Sequence, residues 1–155
     1  MKNLFRLTLL ISILVVVGVG LVLLRYYQME AGIKALKEDK GVVALEKLKP
    51  LAYLGYQPAQ INIGLIYAYG IGGVPKDDNK AIYWFRRSGP IKSLGSKPED
   101  GVDPAAPYEL AVAKDYMNGT WGVKADNAES QKWLRLAAAG GNKEATALLI
   151  KVYSK

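Results

Sequence analysis

The chain has 155 residues and contains neither cysteine nor histidine. Without cysteine there is no disulfide, no thiolate nucleophile, no iron–sulfur cluster and no thiol for lipidation. Without histidine there is no Ser-His-Asp triad and no imidazole metal ligand. Zinc is nearly excluded, because Asp and Glu alone rarely build its tetrahedral site. Charge is also sparse, at 23% of residues against 50% apolar. That balance is too apolar for a disordered chain and too charged for a polytopic membrane protein.

The apolar excess is concentrated at one end. Leu7 to Leu24 is a run of 18 residues without a charge. As a helix it would span roughly 27 Å, close to the hydrocarbon thickness of a bilayer. Lys2, Arg6 and Arg25 flank it, and Tyr26 and Tyr27 stand where an interfacial aromatic belt would lie. A cleaved signal peptide has a shorter apolar core and a small-x-small site behind it. Here the first small pair is Ala31-Gly32, with the large Met29 upstream. The expectation is an uncleaved anchor over 1–27, crossing the membrane through 4–24. Basic residues stand on both sides of the span, so their count does not orient it. The short basic N-terminus resembles a bacterial signal anchor. That implies a single pass through the inner membrane and a periplasmic domain.

Past the anchor, 18 Lys and Arg face 14 Asp and Glu, a net charge of +4. A nucleic-acid surface would be denser and clustered, so no nucleic-acid partner is expected. The remainder of the chain repeats itself at an offset of 49. Tyr67 matches Tyr116, Gly70 matches Gly119, and Gly73-Val74 matches Gly122-Val123. Asp77 matches Asp126, Trp84 matches Trp133, and Arg86 matches Arg135. Repetition on this scale signals stacked supersecondary units.

Each unit reads as a helical hairpin. The first has helix A over Pro58 to Tyr69, a stop at Gly70 and a glycine-rich turn. Asp77 or Asp78 then caps helix B, which turns Ala81, Trp84 and Phe85 inward. Gly64 lets a neighbouring helix approach closely. The second unit has helix A over Tyr108 to Asn118. Asp126 caps its helix B, with Glu129 completing a capping-box pattern. Upstream, Gly41 to Leu54 reads as a helix B, and Gln28 to Lys37 as a degenerate helix A continuous with the anchor. Lys143 to Tyr153 reads as a closing helix with Ala145, Leu148, Leu149 and Val152 on its apolar side.

The strings Ala59-Gln60-Ile61-Asn62-Ile63-Gly64-Leu65-Ile66-Tyr67-Ala68-Tyr69-Gly70 and Lys132-Trp133-Leu134-Arg135-Leu136-Ala137-Ala138-Ala139-Gly140 resemble the Sel-one-like repeat, a relative of the tetratricopeptide repeat. The resemblance implies an all-α fold: a short right-handed solenoid of helical hairpins behind the N-terminal transmembrane helix. The expected parts are a degenerate repeat over 28–57, repeats over 58–89 and 107–141, a loop inserted at 90–106, and a closing segment over 142–155. That insertion stretches the spacing beyond the usual mid-thirties of the family, and a bend or gap between the two units is expected there.

The repeat-defining Gly, Asp and Trp residues are explained by turns, caps and packing. Binding candidates lie elsewhere. Gln60, Asn62, Tyr69, Lys114 and Asp115 are polar or amphipathic residues of the A helices, where such a solenoid presents its binding surface. An ordinary solvated helix face accounts for them equally well. The 90–106 loop is either a recognition element or a tolerated insertion. Trp121, in a turn where the other unit has Gly72, is either an exposed interface anchor or a ring folded on its own loop. Catalysis has little support. Asp77-Asp78 and Glu99-Asp100 are carboxylate pairs, one at a helix cap and one in a loop. Ser93, Ser96, Ser130 and Ser154 have no motif around them. No enzyme activity, cofactor, metal or small-molecule substrate is expected. The resemblance implies a protein partner: a toxin, if the chain is an immunity protein that blocks a phospholipase-type effector of type VI secretion, or an envelope component, if it is a scaffold or adaptor.

Overall fold

The computed structural model describes residues 2–89 and 101–153, with side chains from residue 6 onward. Among the described residues all regular structure is helical. The order is α1 (Lys2–Lys37), α2 (Gly41–Tyr53), α3 (Gln57–Tyr69), α4 (Asp78–Ser88), α5 (Ala106–Asn118), α6 (Asn127–Ala139) and α7 (Lys143–Tyr153). Most of the 90–106 insertion, with Glu99-Asp100, Ser93 and Ser96, lies outside the described residues, as does Ser154.

Helix α1 is unbroken from the apolar run into the first repeat. Its residues from Leu7 to Leu24 are exposed, whereas Gln28 to Lys37 supply the wall against which α2 packs. Gly32 makes this packing possible: a Cβ there would stand 2.6 Å from the Leu48 side chain. A first core forms from Ala35, Leu45, Leu48, Leu51, Ala59, Ile63, Ile66 and Trp84.

The two full units share their local chemistry. Gly70 and Gly119 end their A helices in the left-handed conformation, at φ 68° and 66°. The cap residues Asp77 and Asp126 donate their own N–H groups to the carbonyls of Tyr67 and Tyr116. Asp77 accepts from the Lys80 N–H, and Asp126 from those of Ala128 and Glu129. The capping box of the second unit is only half formed. The Glu129 carboxylate does not return to the Asp126 N–H but pairs with Lys76 and Lys132.

No gap opens between the units. Phe85 stacks on Tyr108 with ring centroids 5.2 Å apart. The Tyr116 hydroxyl donates to the Ala68 carbonyl at 3.0 Å. Phe85, Trp133 and Leu134 are fully buried in one core running through both units. The insertion is also shorter than its sequence suggests. Ala105 and Ala106 are fully buried, α5 begins at Ala106, and the Asp103 N–H is held by the Gly140 carbonyl at 2.8 Å. Only part of the closing helix is covered. Ala145 is buried and Leu148 and Leu149 are half-buried, but Val152 is exposed.

Candidate binding groove

The end of α1, the end of α3 with its turn, and the turn between α5 and α6 come together at one end of the stack. Between them lies a groove of about 780 Å³. One wall is the end of α1, with Ile33, Leu36 and Lys37, and the turn residue Asp39. The floor is Asn62, Leu65 and Tyr69 of α3 with the glycine turn 70–73. The far wall is the turn Trp121-Gly122-Val123 between α5 and α6. The lining is mainly apolar, with a few polar groups at its edges, as expected of a recognition pocket.

Local backbone chemistry sets the two lips apart. In the first unit Gly72, at φ 54°, is pressed against the preceding turn: a Cβ there would stand 2.0 Å from the Gly41 nitrogen. In the second unit Trp121 occupies the equivalent position with the same backbone, at φ 56°. A left-handed backbone is costly for a bulky residue. The residue is 73% exposed, so packing does not repay that cost. Behind it, Asp115 stands where the first unit has the fully buried Ile66. Its carboxylate accepts from the Tyr69 and Thr120 hydroxyls. Burial, and next the Asp115 carboxylate, push the Tyr69 phenol far above its ordinary value, so it stays a neutral donor.

The groove therefore unites Asn62, Tyr69 and Trp121, with Asp115 fixing Tyr69 from behind. Lys114 is elsewhere, 2.6 Å from Glu144 of the closing helix. Gln60 is not a groove residue at all. It is 2% exposed, and its amide donates to the Ala52 carbonyl at 2.8 Å. It gives that carbonyl, near the end of α2, a second donor beside the Gly55 N–H at 3.0 Å. The α1 wall escaped sequence reasoning, since the degenerate first repeat carries no motif. Gln60 and Glu109 stand at the same offset of 49, and both are buried, so the repeat itself signalled a shared interior polar position.

Glu109 lines a second cleft at the opposite end of the stack, with Arg86 and Asp103. Arg86 reaches Asp103 at 2.8 Å. Burial, and next the Asp103 charge, push the Glu109 carboxyl up to about 7, against the pull of Arg86. Ser130 is fully buried among the core residues of α6. Among the described residues, no group of three or more acidic side chains is arranged to hold a metal ion.

Residues 57–89 and 104–142 each match the Sel1 repeat family model. These two units are Sel1 repeats. Sel1 repeats mediate protein–protein interaction or regulation. A chitin synthase regulatory factor of Schizosaccharomyces pombe is 27% identical over 106 residues, which are 68% of this chain and 15% of that protein. A protective antigen of uropathogenic Escherichia coli, with an SLR fold, is 27% identical in sequence. The comparison covers 82% of this chain and 26% of the antigen, with a TM-score of 0.42. The chain thus spans only a small part of the length of these relatives.

Proposed function

We propose that the chain is a membrane-held docking module that binds another protein through the groove beside Trp121. Trp121 is the observation that carries this reading. A tryptophan kept in a left-handed turn and left in water contributes little to packing, and tryptophan is enriched among interface hot spots. The neighbouring lining offers an apolar bed and the neutral Tyr69 hydroxyl at its edge.

The anchor reading rests on the N-terminal helix, whose apolar window has a mean hydropathy of 3.0 and no burial. Processing at Ala31-Gly32 would cut α1 where it packs, removing Met29 from the first core and starting the chain at the glycine that admits Leu48. An uncleaved helix keeps that core intact. In this reading the helix passes once through a bacterial inner membrane, with the repeats in the periplasm. The partner is a phospholipase-type effector, and the module acts as its immunity protein by covering the active site or its entrance. The alternative is a scaffold or adaptor holding envelope components. The name of the yeast relative, a regulatory factor, fits that broader role.

Affinity capture of the full-length tagged chain from detergent-solubilised membranes, run beside Trp121→Gly, tests the reading. One stoichiometric lipase-like partner lost with the variant supports immunity. Several envelope proteins lost together support a scaffold. Partners retained undiminished by Trp121→Gly would sink the groove.

A further inference from the structure

The repeats have a second exposed apolar feature, at the end opposite the groove. Tyr53, Leu54 and Tyr56 close the turn between α2 and α3 and are 60%, 71% and 40% exposed. No acidic residue occurs between Glu46 and Asp77. Arg87 adjoins the turn, with its guanidinium 3.5 Å from the Tyr53 carbonyl and 6.0 Å from the centre of the Trp84 ring. Tyr53 and Tyr83 both pack edge-on against that same Trp84 ring, at 5.4 and 5.3 Å. Exposed aromatic rings beside an arginine, on a stretch of chain without acidic residues, have the composition of a membrane-surface contact.

The register of the first hairpin places this turn. Gly32 of α1 faces Leu48 of α2, and the two helices run antiparallel. Five and six residues beyond Leu48 are Tyr53 and Leu54; five and six before Gly32 are Tyr27 and Tyr26. The turn therefore stands level with Tyr26-Tyr27, directly after the apolar run that ends at Leu24. At ~1.5 Å per residue that level is roughly 3–5 Å outside the hydrocarbon edge, within the headgroup region. The groove residues Ile33 to Lys37 stand roughly 14–20 Å beyond the same edge on the same rise, clear of the lipid.

We infer that the α2–α3 turn is a second membrane contact. Tyr53, Leu54 and Tyr56 insert into the interface of the bilayer that α1 crosses, and Arg87 meets lipid phosphates. The inference rests on α1 being a membrane span, which the experiment tests separately. Because the chain has no cysteine, Leu14→Cys, Leu54→Cys and Trp121→Cys each give one site for a nitrobenzoxadiazole label. The labelled full-length chains are reconstituted in phosphatidylcholine–phosphatidylglycerol vesicles containing lipids with a shallow or a deep doxyl quencher. The expected result is strong loss of fluorescence at position 14 from the deep quencher, strong loss at 54 from the shallow one, and none at 121. Loss at 14 without loss at 54 overturns the second contact and leaves the span. No loss at 14 overturns the span and the contact with it. Leu54 is an exposed turn residue, and Tyr56→Cys provides an independent label on the same turn, expected to follow position 54.

Discussion

Replacing Trp121 by glycine separates a residue kept for packing from one kept for binding. One gain and two costs oppose each other in the stability of the variant. Relief of a bulky side chain at φ 56° contributes about 1–2 kcal/mol. The glycine adds freedom to the unfolded chain, which costs about 0.5–1 kcal/mol. About a quarter of the residue is covered, and losing that contact costs roughly 1.5 kcal/mol at ~25 cal/mol per Å² for a side chain of ~250 Å². The sum runs from about zero to about 1.5 kcal/mol destabilising, a shift of only a few degrees in Tm. A packed indole such as Trp133, fully buried, would instead cost about 3–5 kcal/mol on truncation. Thermal and denaturant unfolding of the full-length chain in detergent, followed by circular dichroism, measures this. Affinity for the captured partner is then expected to fall by about 30-fold or more, the loss typical of a hot spot of ~2 kcal/mol. A destabilisation near 3 kcal/mol, or unchanged affinity, would refute the reasoning, since either makes the indole structural or idle.

Glu109→Gln is expected to change how stability depends on pH. The folded carboxyl titrates at about 7 against an ordinary 4.5, so the folded state retains a proton across that window which the unfolded chain releases. Stability contributed by the neutral acid is full below pH 4.5 and is lost as pH rises through 7. The amide removes that slope: denaturant unfolding should show little change at pH 4 and a gain of at most about 3 kcal/mol at pH 8. Asp126→Ala removes the acceptor for two backbone N–H groups at the start of α6, and should lower unfolding stability by about 1 kcal/mol. Gly64→Ala would place a Cβ 2.3 Å from the Phe85 ring, which is fully buried and stacked on Tyr108. Overpacking of about 1–3 kcal/mol is expected to exceed the gain in helix propensity, and would appear as a lower denaturation midpoint.

Local signals made the hairpins readable. Asp77, Asp126, Gly70 and Gly119 act through their nearest neighbours, so spacing alone places them. The buried role of Gln60 is not legible, because a polar residue on a helix does not disclose which backbone carbonyl lies across from it; here that is Ala52. The groove was half legible. Asn62, Tyr69 and Trp121 belong to recognisable repeats, but Ile33 and Leu36 line it only because α1 continues without a break into the first hairpin. The register of Gly32 on Leu48 is a three-dimensional fact that no periodicity in α1 announces.

On the proposed reading of α1 as a membrane span, its unbroken course leaves no joint between membrane and repeats. A tilt of the span is therefore carried rigidly into the domain. At a height of about 20 Å, a lean of ~20° carries the groove sideways by roughly 7 Å. Bilayer thickness, which governs such leaning, thereby becomes a setting for where the module meets its partner. A foot at the α2–α3 turn would resist the lean in one direction and leave it open in the other.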